Sequence, residues 1–389
     1  MEVFGEVNVK FGRAVRSQWR LDEEAIFLNH GSFGATPIPV LEVQAEWQNQ
    51  LERQPVYFME RTLIPALRFA AEALGKFVGA EGKNIAFVDN ATTGVNAVVR
   101  SLNFEPGDEI LTTNHVYGAV RKALAYVADC SGAKLIEVAV PFPIEDPQQV
   151  IATVAAAITD RTRLAVFDHI TSPTALILPI EALIQLCKAR GIPVLVDGAH
   201  APGMIPLQIE SLGADWYTGN CHKWLCAPKG CAFLWTSPER QATTHPTTIS
   251  HGYGVNFLEE FDWTGTRDPS AWLSVTAAID FQQQLGIEAV REHNFQLVRT
   301  AGAMLAERWG TSIPNPDAMI GTMVTVLLPP VQNLASLHRD LWDDHRIEVP
   351  IIPFGETGWL RISAQVYNEF WEYERLAEAV AGYMKGISV

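Results

Sequence analysis

Two residues of this chain have the types and placement that chemistry needs, a lysine and an aspartate. Lys223 falls in the run Tyr217–Trp224 (YTGNCHKW), at the end of a strand, 26 residues after the apolar run Pro193–Asp197 stops at its carboxylate. An amine so placed can hold an aldehyde as a Schiff base. A carboxylate beneath a pyridine nitrogen keeps it protonated, so that the ring accepts electrons. The pair looks like the two poles of a pyridoxal phosphate (PLP) site. Neither residue means much alone, since a lysine after a strand is often a solvated end and an aspartate after an apolar strand is common in α/β proteins.

A phosphate needs backbone N–H groups at a helix start together with hydroxyls that donate. Asp89–Asn96 (DNATTGVN) supplies both directly after a strand, with Thr92 and Thr93 as the hydroxyls. An ordinary helix cap uses the same residue types. His115, in Thr112–Tyr117 (TTNHVY), lies past the core of another strand, where an imidazole lies against a ring face or shuttles a proton. A single histidine is equally a loop residue with a local hydrogen bond; its interest comes from other polar residues converging on the same sheet edge.

The elements that must position these groups alternate. Apolar runs at Ile85–Asp89, Ile110–Asn114, Lys134–Val140, Arg163–Asp168 and Pro193–Asp197 are short and rich in branched residues, the pattern of buried parallel strands. Helical stretches at Ile64–Val78, Ala119–Ala128, Pro147–Ile158 and Ile180–Arg190 lie between them, the last stopping at Gly191 with Pro193 beyond. This order predicts a doubly wound α/β layer whose ligands bind at the carboxyl ends of the strands. Asp89-Asn90, Asn114-His115, Asp168-His169 and Asp197 all fall there. After residue 260 the pattern changes to helices at Ala271–Leu285 and Ile287–Trp309, a strand at Thr322–Leu328, a helix at Ala335–His345, a strand around Trp359–Ser363 and a helix at Asn368–Met384, which reads as a smaller α+β lobe.

Bulk composition narrows the function classes. The 389 residues suit two lobes, and 48% hydrophobic with 19% charged residues is a globular composition. A net charge of -15 argues against nucleic-acid binding, which needs a basic face. No apolar run approaches the roughly 20 residues of a membrane span and the amino terminus lacks a signal-peptide core, so a cytoplasmic location is expected. The five cysteines, at 130, 187, 221, 226 and 231, read as free thiols, and their spacing does not match a zinc site. No metal is expected.

Asp197-Gly-Ala-His200, then His222-Lys223 and Ala227-Pro-Lys-Gly230, resemble the fold-type I PLP enzymes of aminotransferase class V, the group that includes the cysteine desulfurases. Similarity is closer to the isopenicillin N epimerase-like branch and to the carbon–sulfur lyases of ergothioneine synthesis. The matching segments are Leu28–Gly34 (LNHGSFG), Asp168–Thr174 (DHITSPT), Gly219–Gly230 (GNCHKWLCAPKG) and Trp263–Asp268 (WTGTRD), spread over most of the chain. The resemblance implies an N-terminal arm over residues 1–27 that packs with the small domain. It implies a large PLP-binding α/β domain over 28–265, with a mainly parallel sheet between helices, and a small α+β domain over 266–389. It further implies Lys223 as the Schiff-base lysine and Asp197 under the pyridine nitrogen, with His200 near the ring hydroxyl and His115 stacked on the ring. Thr92, Thr93, Asn220 and His222 surround the phosphate in this scheme, and Thr266 reaches the phosphate of the neighbouring subunit in a homodimer. Asn29, His30 and Arg361 are the substrate contacts it implies. Arg361 matches an arginine that grips the substrate carboxylate, which a planar fork of donors suits better than an ammonium does.

With PLP in place, a substrate amine displaces Lys223, and the freed amine can act as base on Cα once its pKa falls. Four fates of the resulting carbanion compete. Epimerisation needs a second acid across the ring, for which His30, His115, Tyr117 and Tyr57 are candidates; elimination of a sulfur substituent from Cβ makes a lyase; transamination comes behind these. Desulfuration through a protein persulfide is set aside, because the desulfurases carry its cysteine in the carboxyl-terminal lobe and no cysteine follows Cys231. The first reading is an epimerase or racemase, with carbon–sulfur lyase, class V aminotransferase and a PLP-binding protein without turnover as alternatives.

Overall fold

A computed structural model describes residues 10–331 and 333–384. Its strands are β1 (Ile26–Phe27), β2 (Ile85–Val88), β3 (Glu109–Thr113), β4 (Lys134–Val138), β5 (Thr162–Asp168), β6 (Val194–Asp197), β7 (Trp216–Asn220), β8 (Ala232–Thr236), β9 (Met323–Leu327), β10 (Ile347–Glu348), β11 (Ile351–Phe354) and β12 (Thr357–Ser363). Seven of them form the main sheet in the order β2-β8-β7-β6-β5-β3-β4. Only β8 runs against its neighbours, pairing antiparallel with both β7 and β2. The central strands β6, β7 and β8 are buried along their whole length, as both faces are covered by helices. Aliphatic and aromatic side chains dominate these strands for that reason, and the charged and amide side chains Asp197 and Asn220 appear where β6 and β7 stop.

The five runs read from the sequence as strands correspond to β2 through β6, to within two residues at most ends. Two adjoining elements were less legible. The strand β8 and the helix Ile38–Arg53 carry no comparable pattern: β8 is a hairpin return that is buried throughout, while the helix presents mostly polar side chains and buries only Val40 and Leu51. The expected helix Ala271–Leu285 is broken at Ser274 into Ser270–Leu273 and Val275–Leu285.

Beyond them the 23-residue helix Ile287–Trp309 runs toward a second, antiparallel sheet of order β11-β12-β9. Packing does not divide at residue 266. The core against the main sheet continues through Trp272, Ile279 and Val290, and the second core begins on the same long helix at Val298 and includes Leu28. Residues 10–27 touch both regions: the Gly12 N–H donates to the Val366 carbonyl at 2.6 Å, β1 pairs in parallel with β10, and Trp19 lies in the larger core. The first nine residues of the expected arm lie outside the described residues. Among the described residues, no helix is long and apolar enough to cross a membrane and no group of side chains is arranged to hold a metal ion.

Candidate active site

A cavity of about 500 Å³ opens at the carboxyl ends of the main-sheet strands, lined among others by Asp89, Asn90, Thr92, Tyr117, Asp168, Asp197, His200, Asn220, His222 and Lys223. Each comes from a strand end or the turn behind it, where backbone donors and polar side chains need not be buried in the sheet.

Lys223 sits in the turn after β7 and is 9% exposed. Burial, and then the nearby Arg361 cation, bring its amine down to about pKa 7, against opposing pull from Asp197 and Asp168. Its Nζ lies 3.1 Å from His200 Nε2. The Trp224 indole N–H, which can only donate, reaches His200 Nδ1 at 3.3 Å. The histidine proton therefore sits on Nε2, and it donates to the lone pair of a neutral amine. Burial and the Lys223 charge also hold His200 far below its usual range, in its uncharged form.

Asp197 ends β6, and its Oδ1 accepts from the Ala199 N–H at 2.9 Å. Burial raises its pKa, with Ala199 and Lys223 acting the other way. At the far side of the cavity, the helix Ala91–Ser101 starts with Asn90 as its cap, whose Oδ1 accepts from the Thr93 N–H. Asn220 Oδ1 accepts from the Ala91 N–H at 2.8 Å and so ties this helix start to the end of β7. Close approach of the helix to β7 requires Gly94, because a Cβ there would lie 2.3 Å from Thr218 Oγ1. Thr92 faces the cavity; Thr93 does not line it, and its hydroxyl serves the Asn90 cap at 3.2 Å. The Nδ1–H of His222 donates to the Cys231 carbonyl at 3.1 Å, and burial brings this imidazole down to about 4. Only its protonated form can donate through Nε2, which is the form that a phosphate dianion favours.

Arg361, on β12, is 3% exposed. One guanidinium nitrogen donates to the Ser172 carbonyl and hydroxyl, the other to Ser32 Oγ at 3.1 Å and Asn29 Oδ1 at 3.5 Å, while Nε has no partner. No carboxylate of the described residues pairs with it, and burial lowers it to about 10. A buried cation with serine partners and an unused donor fits an anionic group brought from outside. Asn29 lies behind this arginine, held through Nδ2 to Glu348 Oε1 at 2.9 Å.

Three residues singled out in the sequence stand elsewhere. His115 is fully buried behind the cavity wall, bonded to Thr174 Oγ1 at 2.7 Å and to the Val140 carbonyl, with its ring against Phe354. The residue of this loop that lines the cavity is Tyr117, since the chain turns after β3 and sends His115 under the sheet edge before Tyr117 caps the next helix. His30 is also sealed in, between Tyr367 OH at 2.8 Å and the Lys223 carbonyl at 3.0 Å, and burial depresses it to about 3. Through that carbonyl it supports the lysine turn, and it does not line the cavity. Thr266 is exposed and absent from the lining of its own chain's cavity. The sequence reading named Tyr117 only as one candidate second acid and Asp168 only as a strand end, and it missed Ser32 and Ser172 as lining residues.

The fold, an internal lysine amine, a strand-end carboxylate and a helix-start anion cradle together define a PLP enzyme of fold type I. The chain belongs to the aminotransferase class V family, whose model matches residues 36–349. It is 35% identical to the isopenicillin N epimerase of Streptomyces clavuligerus over 94% of this chain and 96% of that one. It is also 30% identical to an L-cysteine desulfhydrase of Arabidopsis thaliana, over 92% of this chain and 87% of the relative. A cysteine desulfurase structure from Thermococcus onnurineus superposes with a TM-score of 0.81 at 21% identity, covering 97% and 99% of the two chains.

Proposed function

We propose that this enzyme removes the Cα proton of a small L-amino acid and expels a sulfur substituent from Cβ, as a carbon–sulfur lyase of the cysteine desulfhydrase kind. The observation that carries this reading is an amine at Lys223 that titrates near 7 in the cavity, together with a buried, carboxylate-free Arg361 directly behind the lining residues Ser32 and Ser172. One supplies a base and the other receives the substrate carboxylate. Bound PLP would supply the electron sink; Thr92, Asn220 and His222 at the start of the helix Ala91–Ser101 would hold its phosphate, and Asp197 would pair with its ring nitrogen. Lys223 takes the Cα proton, the electron pair left behind forms the Cα–Cβ double bond, and sulfur leaves with the pair of the broken Cβ–S bond. The released enamine hydrolyses to a keto acid and ammonia.

Epimerisation is the second reading, and Tyr117 is the observation that favours it. Of the four residues considered as a second acid, it alone lines the cavity: His30 and His115 are locked in the core, and Tyr57 is exposed outside it. Elimination needs only the base that is present. The four buried cysteines are absent from the cavity lining, and the fifth, Cys130, is exposed on the helix Gly118–Ser131, which supports release of sulfur as a free thiol or sulfide. Both readings place Thr266 against the phosphate of a second copy in a homodimer. Holoenzyme incubated with L-cysteine yields equimolar pyruvate and sulfide without D-cysteine; accumulation of the D-enantiomer without pyruvate would transfer the assignment to epimerase.

A further inference from the structure

Asp168 is a buried carboxyl that the scheme above leaves without a task. It ends β5, is 3% exposed, lines the cavity, and is the direct ladder partner of Asp197 across the parallel β5–β6 pair. Its Oδ2 has no hydrogen-bond partner. Two carboxyl groups on neighbouring strand ends, both out of water, do not ionise together, because the second charge meets both desolvation and the first charge. The surroundings decide where the proton goes. Asp197 accepts from the Ala199 N–H, which favours its anion. Asp168 has an oxygen with no partner, and it is raised by burial first and by the Asp197 charge second, with the backbone N–H groups of Tyr117 and Asp168 and the Lys223 amine acting in the other direction.

The sheet order then fixes which edge of the cofactor Asp168 meets. The phosphate cradle lies on the β7 and β2 side of Asp197, while β5 lies on the opposite side. In the pyridine ring of PLP, the phosphate-bearing arm and the phenolic oxygen sit on opposite sides of the axis through the ring nitrogen. With the nitrogen over Asp197 and the arm toward β7, the phenolic edge falls on the β5 side.

We propose that Asp168 is a positioning residue that stays protonated and donates its O–H to the phenolic oxygen of the cofactor, leaving Asp197 as the single anion of the pair. It bears on the cofactor alone, so it stands whether the enzyme is a lyase or an epimerase.

A neutral donor and an anion at this position have opposite effects on the titration of the visible band of the holoenzyme, which follows the proton between the Lys223–cofactor nitrogen and the phenolic oxygen. A donor stabilises the deprotonated chromophore and lowers the midpoint; an anion raises it. Titratable and charged groups facing the site are Asp89, Asp197, Lys223, His200, His222 and Tyr117, with the Arg361 cation behind Ser32 and Ser172, and all remain in place in the variants. Asp168→Asn keeps a donor without charge, so its midpoint stays within about half a pH unit of the parent and its cofactor Kd within about threefold. Asp168→Ala loses the donor, and its midpoint rises by about one unit or more. A fall of the midpoint in either variant, or an unchanged midpoint in Asp168→Ala, overturns the proposal. The Asn variant, which preserves shape, keeps the test decisive if the Ala variant does not fold.

Discussion

At the scale of single residues, burial is the main lever. Lys223 titrates near 7 in the fold because its amine is out of water, so capture of PLP by the apoenzyme rises with pH through about 7. The sign follows from the lone pair: below that pH the amine is protonated and cannot attack the aldehyde, above it the amine is free. Stopped-flow absorbance against pH checks this, and a rate that keeps climbing toward the ordinary lysine range contradicts it. Arg361 makes the complementary case. A charge-assisted hydrogen bond contributes about 1.5–3 kcal/mol, so Arg361→Lys, which cannot present the planar fork, raises KM for an amino acid roughly 10- to 100-fold with a smaller effect on kcat. A change confined to kcat would assign Arg361 a different role. The placement of Lys223 and Asp197 at one sheet edge and of Arg361 in a buried strand was legible in the sequence, because a charged residue at the end of an apolar strand, or inside one, has few inexpensive explanations. His115 was misleading for a geometric reason: the two-residue offset between it and Tyr117 is set by the turn after β3, which no periodicity records.

Elements place these residues through close backbone approaches that tolerate little. Gly34, at φ +70°, brings the segment after His30 so near the lysine turn that a Cβ would lie 2.0 Å from the His222 carbonyl. Gly34→Ala must therefore push that turn, costing about 1–3 kcal/mol in overpacking and weakening cofactor binding at the same time. Gly310→Ala supplies the comparison, with φ +64° but open space around it, and there only the left-handed backbone cost of about 1–2 kcal/mol applies, with cofactor affinity intact. Thermal unfolding and cofactor titration separate the two; equal effects on Kd would mean that the approach to His222 is not what positions Lys223. The alternating strands and helices of the main sheet were readable because buried parallel strands have a distinctive apolar composition. The break at Ser274, the hairpin strand β8 and the shared long helix were not, since tertiary packing decides them.

For the molecule as a whole, exposed apolar side chains accord with the proposed homodimer. Phe33, 74% exposed and lining the cavity, and Val56, Tyr57 and Phe69 leave large apolar side chains in water. Sedimentation at micromolar concentration gives a homodimer, and Thr266→Ala weakens cofactor binding without altering the dimer; a monomer with full cofactor affinity would contradict both. The two-lobed organisation was visible in the change of pattern after residue 260, but the division is not a cut in the chain, because the core beside the main sheet continues to Val290. Everything at this scale converges on one amine. Borohydride reduction of the holoenzyme followed by peptide mass mapping tests it most directly: the phosphopyridoxyl group is found on the peptide carrying Lys223 and nowhere else, whereas labelling of another lysine, or of none, contradicts the assignment of Lys223 as the reactive centre.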